Sequence, residues 1–486
     1  MASVKTNYLL NLINPISSLL FHLITFPYAS RIMLADGIGQ VNFFSSIIGY
    51  IALFTSLGIP LYAVREIAKV RDDEEERSRI AIEILLLNAG LTALGYIAVA
   101  IIAATVAKVQ VDVPMFLLLS VTLIITAIGG EWFYQGVEDF KYITIRGLIV
   151  KIVSVVLLFL LVHTREDIMW YAAYTVFGVL GGNIFNFIRL RKYINTKSFH
   201  LRELHPLRHL KPTLHIFVLN LIISIYVNLN TVMLGFMTDN ASVGYYTAAT
   251  RLTKTILGIV SSLGIVMLPR LSNLIATGQK EEFDRLANKA VNFVIALSLP
   301  ITVGLIMMGS TLIRLFCGQT YEPAILTLQV LAPIILFIAL SNVIGIQILY
   351  PQGQENKVII STAIGAGLNF IIDLFLIPKM AHDGAAIATV VAELAVTLTQ
   401  MFIGTSFIPV KLFSKKHFDY LVASILMCIC LFAVSLFHLK DVANLCVTPA
   451  IGIIVYFTYL YYRKDMFCLE VMHIAKQKIN YYKSKY

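Results

Sequence analysis

The sequence predicts an all-α integral membrane protein of 14 transmembrane helices, built as two parallel six-helix repeats around a central cavity plus two C-terminal helices. Three observations carry this. Of 486 residues, 58% are hydrophobic and only 14% are charged, against about a quarter charged in a soluble domain. Apolar runs of about 20 residues, the length that crosses hydrocarbon, recur along the whole chain. The cations fall overwhelmingly on one side of those runs.

The spans fall near 8–28, 41–64, 80–106, 115–135, 147–163 and 169–188. After the basic segment Arg189–Pro212, which is the longest loop, come 213–236, 244–268, 289–312, 324–349, 358–378 and 385–408. Two more follow at 418–438 and 444–462. Helix is the only choice, because lipid cannot satisfy an open backbone, and long barrel-like alternation is absent. The first run, Tyr8–Tyr28, is too long for a signal-peptide core and lacks a clear small-residue cleavage site, so it reads as a retained span. With the N-terminus inside, 30 of the 38 Lys and Arg residues lie on inner segments. Six lie outside, and Arg251 and Lys254 lie within a span. That bias places both ends in the cytoplasm and accounts for the net charge of +10 without a nucleic-acid partner. Arg65–Arg79, which mixes five cations with Asp72, Asp73 and Glu74–Glu76, reads as a solvated inner loop.

The chain echoes itself. Asn14, Ser18, His22 and Thr25 share one face of the first span. A shift of 206 carries them onto Asn220, Ser224, Asn228 and Thr231 of the seventh, and Leu57-Gly58 onto Leu263-Gly264. A shift of 217 carries Gln135–Asp139 onto Gln352–Asn356. Six helices per block keep both blocks in one orientation, so the repeats are parallel. The expected domains are 1–212, 213–410 and 411–486, the last holding the two helices outside the repeat.

Two matching polar stripes suggest a polar cavity between the halves, with interhelical hydrogen bonding as the ordinary alternative. Charges inside the bilayer cost roughly 2.5–3.5 kcal/mol on insertion scales. Arg251 and Lys254 share a face, where a guanidinium can grip a phosphate and an ammonium can act as a point charge. The alternative is that both snorkel to the outer interface. Their counterparts, Ser46 and Gly49, are uncharged, so the cationic feature belongs to the second half. Arg31 and Arg270 flank the first and eighth spans as interface anchors or extensions of the basic surface. Glu393, deep in the twelfth span, and Asp373 in the eleventh are candidates for ion coupling. Glu131 stands beside Trp132, Phe133 and Tyr134, which read as an interfacial aromatic belt.

No phosphate-binding loop, H-E-x-x-H or C-x-x-C pattern occurs. Gly37-Ile38-Gly39 lacks a dinucleotide turn's third glycine and reads as a short outer loop. The five cysteines read as small apolar side chains. No loop would hold a catalytic domain. The expectation is a transporter, without enzymatic activity, cofactor or metal.

The stretch Glu131-Trp132-Phe133-Tyr134-Gln135-Gly136-Val137-Glu138-Asp139-Phe140-Lys141-Tyr142-Ile143, running on through Arg146, resembles a motif of the polysaccharide repeat-unit flippases. Those belong to the multidrug/oligosaccharidyl-lipid/polysaccharide exporter superfamily. Leu57-Gly58-Ile59 with Arg65-Glu66-Ile67-Ala68, and Pro269-Arg270-Leu271-Ser272, resemble further family patterns. The resemblance covers the first twelve spans and implies alternating access. The implied cargo is a polyprenyl-pyrophosphate-linked oligosaccharide moved from the inner to the outer leaflet of a bacterial plasma membrane. Surface polysaccharide (O-antigen, capsule or exopolysaccharide) would be the product. Membrane lipid, a polysaccharide polymerase and chain-length proteins are the implied partners. Arg31, Arg251 and Arg270 are the nearest matches to the cavity arginines of related lipid II flippases. On this expectation Arg251, Lys254 and Arg31 hold the pyrophosphate, while Asn14, His22, Asn220 and Asn228 meet the glycan. Alternatives are a cation-coupled multidrug antiporter of the same superfamily and a non-transporting scaffold.

Overall fold

The computed structural model describes residues 4–195, 203–410, 414–437, 440–465 and 468–469. The side chains at 4–16, 19–20, 179–180, 215, 218–220, 222–227, 259 and 262–266 lie outside that description. Among the described residues all regular structure is helical. Nine helices there are long and apolar enough to cross a bilayer, and Arg165–Gly178 with Gly181–Leu190 form a further pair bent by 45°. This is a multi-pass membrane protein. It divides into two compact units, Met1–Gly244 and Tyr245–Tyr486.

In the first unit, α1 (Val4–Ser56) joins the first two expected spans, broken only at Leu34 (φ 56°, ψ −176°). Gly37-Ile38-Gly39, expected in a loop, is helical. No loop intervenes, because the interruption is confined to the single residue Leu34. Gly39 and Gly244 make close approach possible there: a Cβ on Gly39 would collide with the Asn240 carbonyl, and one on Gly244 with that of Ala35. Small residues let helix backbones meet in this way.

After α2 (Ile59–Lys69) comes α3 (Glu74–Thr105). The acidic run expected as a loop builds its start. Asp73 accepts from the amides of Glu75 and Glu76, both at 3.1 Å, and three glutamates fill the first turn, where the helix dipole favours them. A short α4 (Ala107–Gln110) precedes α5 (Val113–Ile128).

The fourth expected span stops early, at Ile128. Gly130 takes a left-handed conformation (φ 51°), and α6 (Glu131–Gly136) begins afresh. Then follow α7 (Phe140–Leu161), capped by Asp139, α8 (Ile168–Leu190) and α9 (Leu210–Met237). The aromatic belt is overturned. Trp132, Phe133 and Tyr134 are buried in a cluster with Tyr62, Ile84 and Ile143, because α6 packs against α2 rather than facing lipid. The segment before α9 is tied to α3. Buried Glu83 accepts from the His205 amide (2.9 Å), Arg208 Nε (2.7 Å) and His209 Nε2 (2.8 Å).

The second unit holds most of α10 (Asn240–Ala276), then α11 (Lys280–Met307), α12 (Gly309–Cys317), α13 (Ala324–Leu331) and α14 (Ile334–Asn342). The tenth expected span is not one helix. Pro333 separates α13 from α14, and Val343–Leu349 winds as a π-helix. α15 (Glu355–Ile403) merges the eleventh and twelfth expected spans across a break at Ala381 (φ 48°). Its halves fold back, so that a Cβ on Gly365 would strike Val396. α16 (Lys415–Ser435) and α17 (Asp441–Tyr462) pack on each other and on α11. The Tyr456 hydroxyl donates to the Ala296 carbonyl at 2.7 Å.

Candidate functional site

The first unit contains an ionic cluster inside its helices. α7 carries Arg146 near its start and Lys151 eleven residues in, about 16 Å along the axis. Lys151 Nζ donates to Ser17 Oγ and Ser18 Oγ of α1, both at 2.7 Å. Arg146 Nη2 lies 2.8 Å from Glu131 Oε2, and its Nη1 donates to the Gly182 carbonyl at 3.2 Å. The Arg146 side chain is only 10% exposed, and its Nε has no hydrogen-bond partner among the described residues. Glycine at 182 is what admits this guanidinium, since a Cβ there would sit 2.9 Å from Nε.

These residues line a polar cavity of about 250 Å³ with Ser18, Gly178 and Asn183. On the outer side of α7 and α8, Arg146 also lines an apolar groove of about 420 Å³. Next to it Arg189 pairs with Asp139 at 2.8 Å and stacks 3.8 Å above the Tyr142 ring.

In the second unit, Arg251 is half-buried and Lys254 exposed. Glu393, buried on α15, is close enough to Lys254 to attract it electrostatically. Asp373 is fully buried, and neither carboxylate oxygen has a hydrogen-bond partner among the described residues. One turn earlier Asn369 is equally buried, and both its amide atoms lack partners there. Buried polar groups are almost always paired, so this couple departs from the usual arrangement of a helical interior. Arg270 is exposed, lies 3.8 Å from Glu282, and lines a cavity of about 260 Å³ with Lys289, Ser261, Asn342 and Gln347.

Other expected residues are less informative. Arg31 is exposed and donates to the Pro27 carbonyl at 2.8 Å. His22 Nδ1 lies 2.7 Å from the Ser18 carbonyl one turn back, and Asn228 is half-buried. The side chains of Asn14 and Asn220 lie outside the described residues. No group of three or more metal-ligating side chains gathers among the described residues.

The sequence reading missed Lys151, which was counted with the inner cations although it sits deep in a helix. It also missed Asn369, four residues before Asp373 on the same face. The restriction of cations to the second half does not hold, because Arg146 and Lys151 belong to the first unit.

Residues 4–275 match the family described as "Polysaccharide biosynthesis protein". The chain belongs to that family. Residues 216–375 also match the MatE family. An Escherichia coli (strain K12) relative carrying the name "Putative O-antigen transporter" is 24% identical over 394 residues, 80% of this chain and 93% of that protein. A Rhizobium tropici relative, "Probable lipid II flippase MurJ", is 29% identical over 150 residues, 30% of this chain and 28% of that one.

Among solved structures, a lipid II flippase MurJ in an inward closed conformation shares the fold of this family member. Its TM-score is 0.77 at 17% identity, over 94% of this chain and 99% of that one. An inward-facing multidrug MATE transporter of the MOP superfamily follows at 0.64 and 15% identity, over 81% and 94%.

Proposed function

We propose that the chain is a flippase that moves a polyprenyl-pyrophosphate-linked oligosaccharide from the inner to the outer leaflet by alternating access. The product would feed surface polysaccharide. The observation that carries this reading is the set of cations within membrane-spanning helices: Lys151 and Arg146 in one unit, Arg251 and Lys254 in the other. Their charge costs several kcal/mol to place in a bilayer, and an anionic cargo offsets that cost. The relative covering 93% of its own length bears a transporter's name, which supports the same reading.

In this reading α1 and α15 each cross twice, about their breaks at Leu34 and Ala381. The bent Arg165–Leu190 pair crosses once. With α9 and α10 the crossings number fourteen, as two parallel repeats plus α16 and α17, with both termini cytoplasmic. Arg251 and Lys254, with Arg31 beside them, hold the pyrophosphate, Arg270 extends the basic surface from about 28 Å further along α10, and His22 and Asn228, with Asn14 and Asn220, meet the glycan. Asp373 with Asn369 is the coupling site, and Glu393 tunes Lys254.

The test is an Arg251→Gln/Lys254→Gln double variant in the native host, with the chromosomal gene deleted. Wild type restores surface polysaccharide and the double variant, at normal membrane abundance, does not. Full restoration by the variant overturns the site. Failure of the deletion to alter surface polysaccharide overturns the function.

The match of residues 216–375 to the MatE family favours one second reading, a cation-coupled drug antiporter. Resistance to cationic dyes on overexpression, with unchanged polysaccharide in the deletion strain, would select it.

A further inference from the structure

Two spaces of opposite character meet at Arg146. The outer face between α7 and α8 forms the apolar groove, walled by Ile145, Ile149, Phe185 and Ile188. These four side chains are 46%, 54%, 50% and 59% exposed, as lipid-facing residues are. α7 begins at the end of the bilayer where α8 finishes, and the groove's cations gather there. Arg146 closes the second turn of α7, Arg189 lies in the last turn of α8, and Lys192 lies just beyond it. On the other side of Arg146 is the polar cavity with Lys151, Ser18, Asn183 and Glu131. A groove for hydrocarbon, a rim of cations and a chamber of hydrogen-bonding groups thus follow one another within one unit. That is the order of parts in a lipid with an anionic junction and a polar head.

Charge complementarity favours an anion at the junction. Arg146 and Arg189 each hold one carboxylate, from Glu131 and Asp139. Lys192 at the groove and Lys151 in the cavity bring the six named charges to a surplus of two cations. A diphosphate is matched by that surplus, and guanidinium groups bind phosphate through paired donors. Arg146 is held in place at this junction by Glu131 and the Gly182 carbonyl.

We propose that the α7–α8 face of the first unit is a binding site for the lipid-linked cargo. Its prenyl segment lies in the groove, its diphosphate at Arg146 and Lys192, and its first sugar reaches into the cavity toward Lys151, Ser18 and Asn183. This rests on the flippase reading and adds to it a membrane-side seat separate from Arg251 and Lys254. Such a seat lets the tail remain in lipid while the head is already enclosed. Arg146 then positions the diphosphate where the two environments join.

The test uses full-length protein in phosphatidylethanolamine nanodiscs and a farnesyl diphosphate analogue bearing a terminal benzophenone. Illumination is expected to label peptides within residues 140–192. Ile149→Trp fills the groove from the lipid side, and Lys192→Gln and Lys151→Gln remove charge at the surface and in the cavity. Ile149→Trp and Lys192→Gln are each expected to lower labelling at least tenfold with unchanged melting temperature. Lys151→Gln, which acts on the sugar, is expected to leave labelling by this sugarless probe within twofold and to abolish export in cells. Labelling elsewhere, or unchanged labelling in both groove variants, overturns the site. Displacement of the label by an equal amount of phosphatidylglycerol also overturns it, since the groove would then hold any anionic lipid. In the deletion strain, wild-type export with a failed site leaves the flippase reading standing. Normal surface polysaccharide without the gene sinks the reading and with it this site.

Discussion

Glu83 receives three hydrogen bonds in a position 1% exposed at its side chain. Removing one partner of such a buried pair strands the other charges and costs about 3–5 kcal/mol. Glu83→Ala is therefore expected to lower the melting temperature of the detergent-solubilised protein by several degrees, while Glu83→Gln, which keeps the volume and one acceptor, loses less. A normal melt for the alanine variant would contradict the latch. His209 sits between Glu83 and the Tyr62 hydroxyl, the latter 2.7 Å from Nδ1. Burial pulls its imidazole below the ordinary histidine value, with Glu83 opposing more weakly. A depressed value means the docked segment prefers the neutral ring. Docking is complete above the ordinary value near 6.5 and weakens as pH falls through the lower folded value. Hydrogen exchange at residues 203–209 should therefore quicken on acidification, and Tyr62→Phe should alter that profile. Asp373→Asn, isosteric at a site whose oxygens make no hydrogen bond among the described residues, is expected to leave folding intact. It should abolish any dependence of export on a sodium or proton gradient, read as polysaccharide yield against imposed gradient. Asp373 and Glu393 were legible in the sequence because an acid in an apolar run stands out. Lys151 was not, because near a cytoplasmic segment a lysine looks like another topology signal.

The helices were legible at their middles and not at their junctions. Apolar length marks a span without marking where the backbone turns. The turns at Leu34 and Ala381 are made by residues with no turn signature, each at positive φ, held there by the packing on either side. A non-glycine residue in this region costs about 1–3 kcal/mol. Ala381→Gly removes that strain with the loss of one methyl group, so it is expected to stabilise the protein by about 1 kcal/mol, offset in part by glycine's freedom in the unfolded chain. A lower melting temperature would show that Ala381 is relaxed as it stands. Pro333 stands inside the expected tenth span, 324–349, which was drawn straight through it although a proline interrupts a helix. The π-turn after it places Gln347 against the cavity of Arg270 and Lys289, a consequence no periodicity could show. The aromatic run at 132–134 was misplaced for a related reason. Tryptophan and tyrosine mark interfaces statistically, yet α6 turns them inward once Gly129 and Gly130 interrupt the helix.

For the whole molecule, the distribution of 38 cations predicts which surfaces face the cytoplasm. In a background with the five native cysteines replaced, a membrane-impermeant maleimide applied to intact cells should label Lys108→Cys and Lys440→Cys. It should spare Lys280→Cys and Lys464→Cys until the membrane is permeabilised. The reverse pattern would invert the topology and with it the direction assigned to the cargo. That the chain is helical and crosses a membrane needed no contact information, since a chain with so few charges cannot cover itself with polar surface.

Composition and charge order by themselves determined that the chain lives in the membrane as helices, and the Trp132–Lys141 stretch pointed to its family. Lipid leaves the backbone one solution, and loop charge is read locally along the chain. The tertiary structure alone decided which polar residues meet. Lys151 reaches Ser17 and Ser18 from 134 and 133 residues away, and Arg146 finds Glu131 across a helix break. Such meetings depend on the angle at which two helices cross and on the glycines that let them approach. No window of sequence contains either. The partners of Arg146 and Lys151 therefore appeared only when the helices were packed.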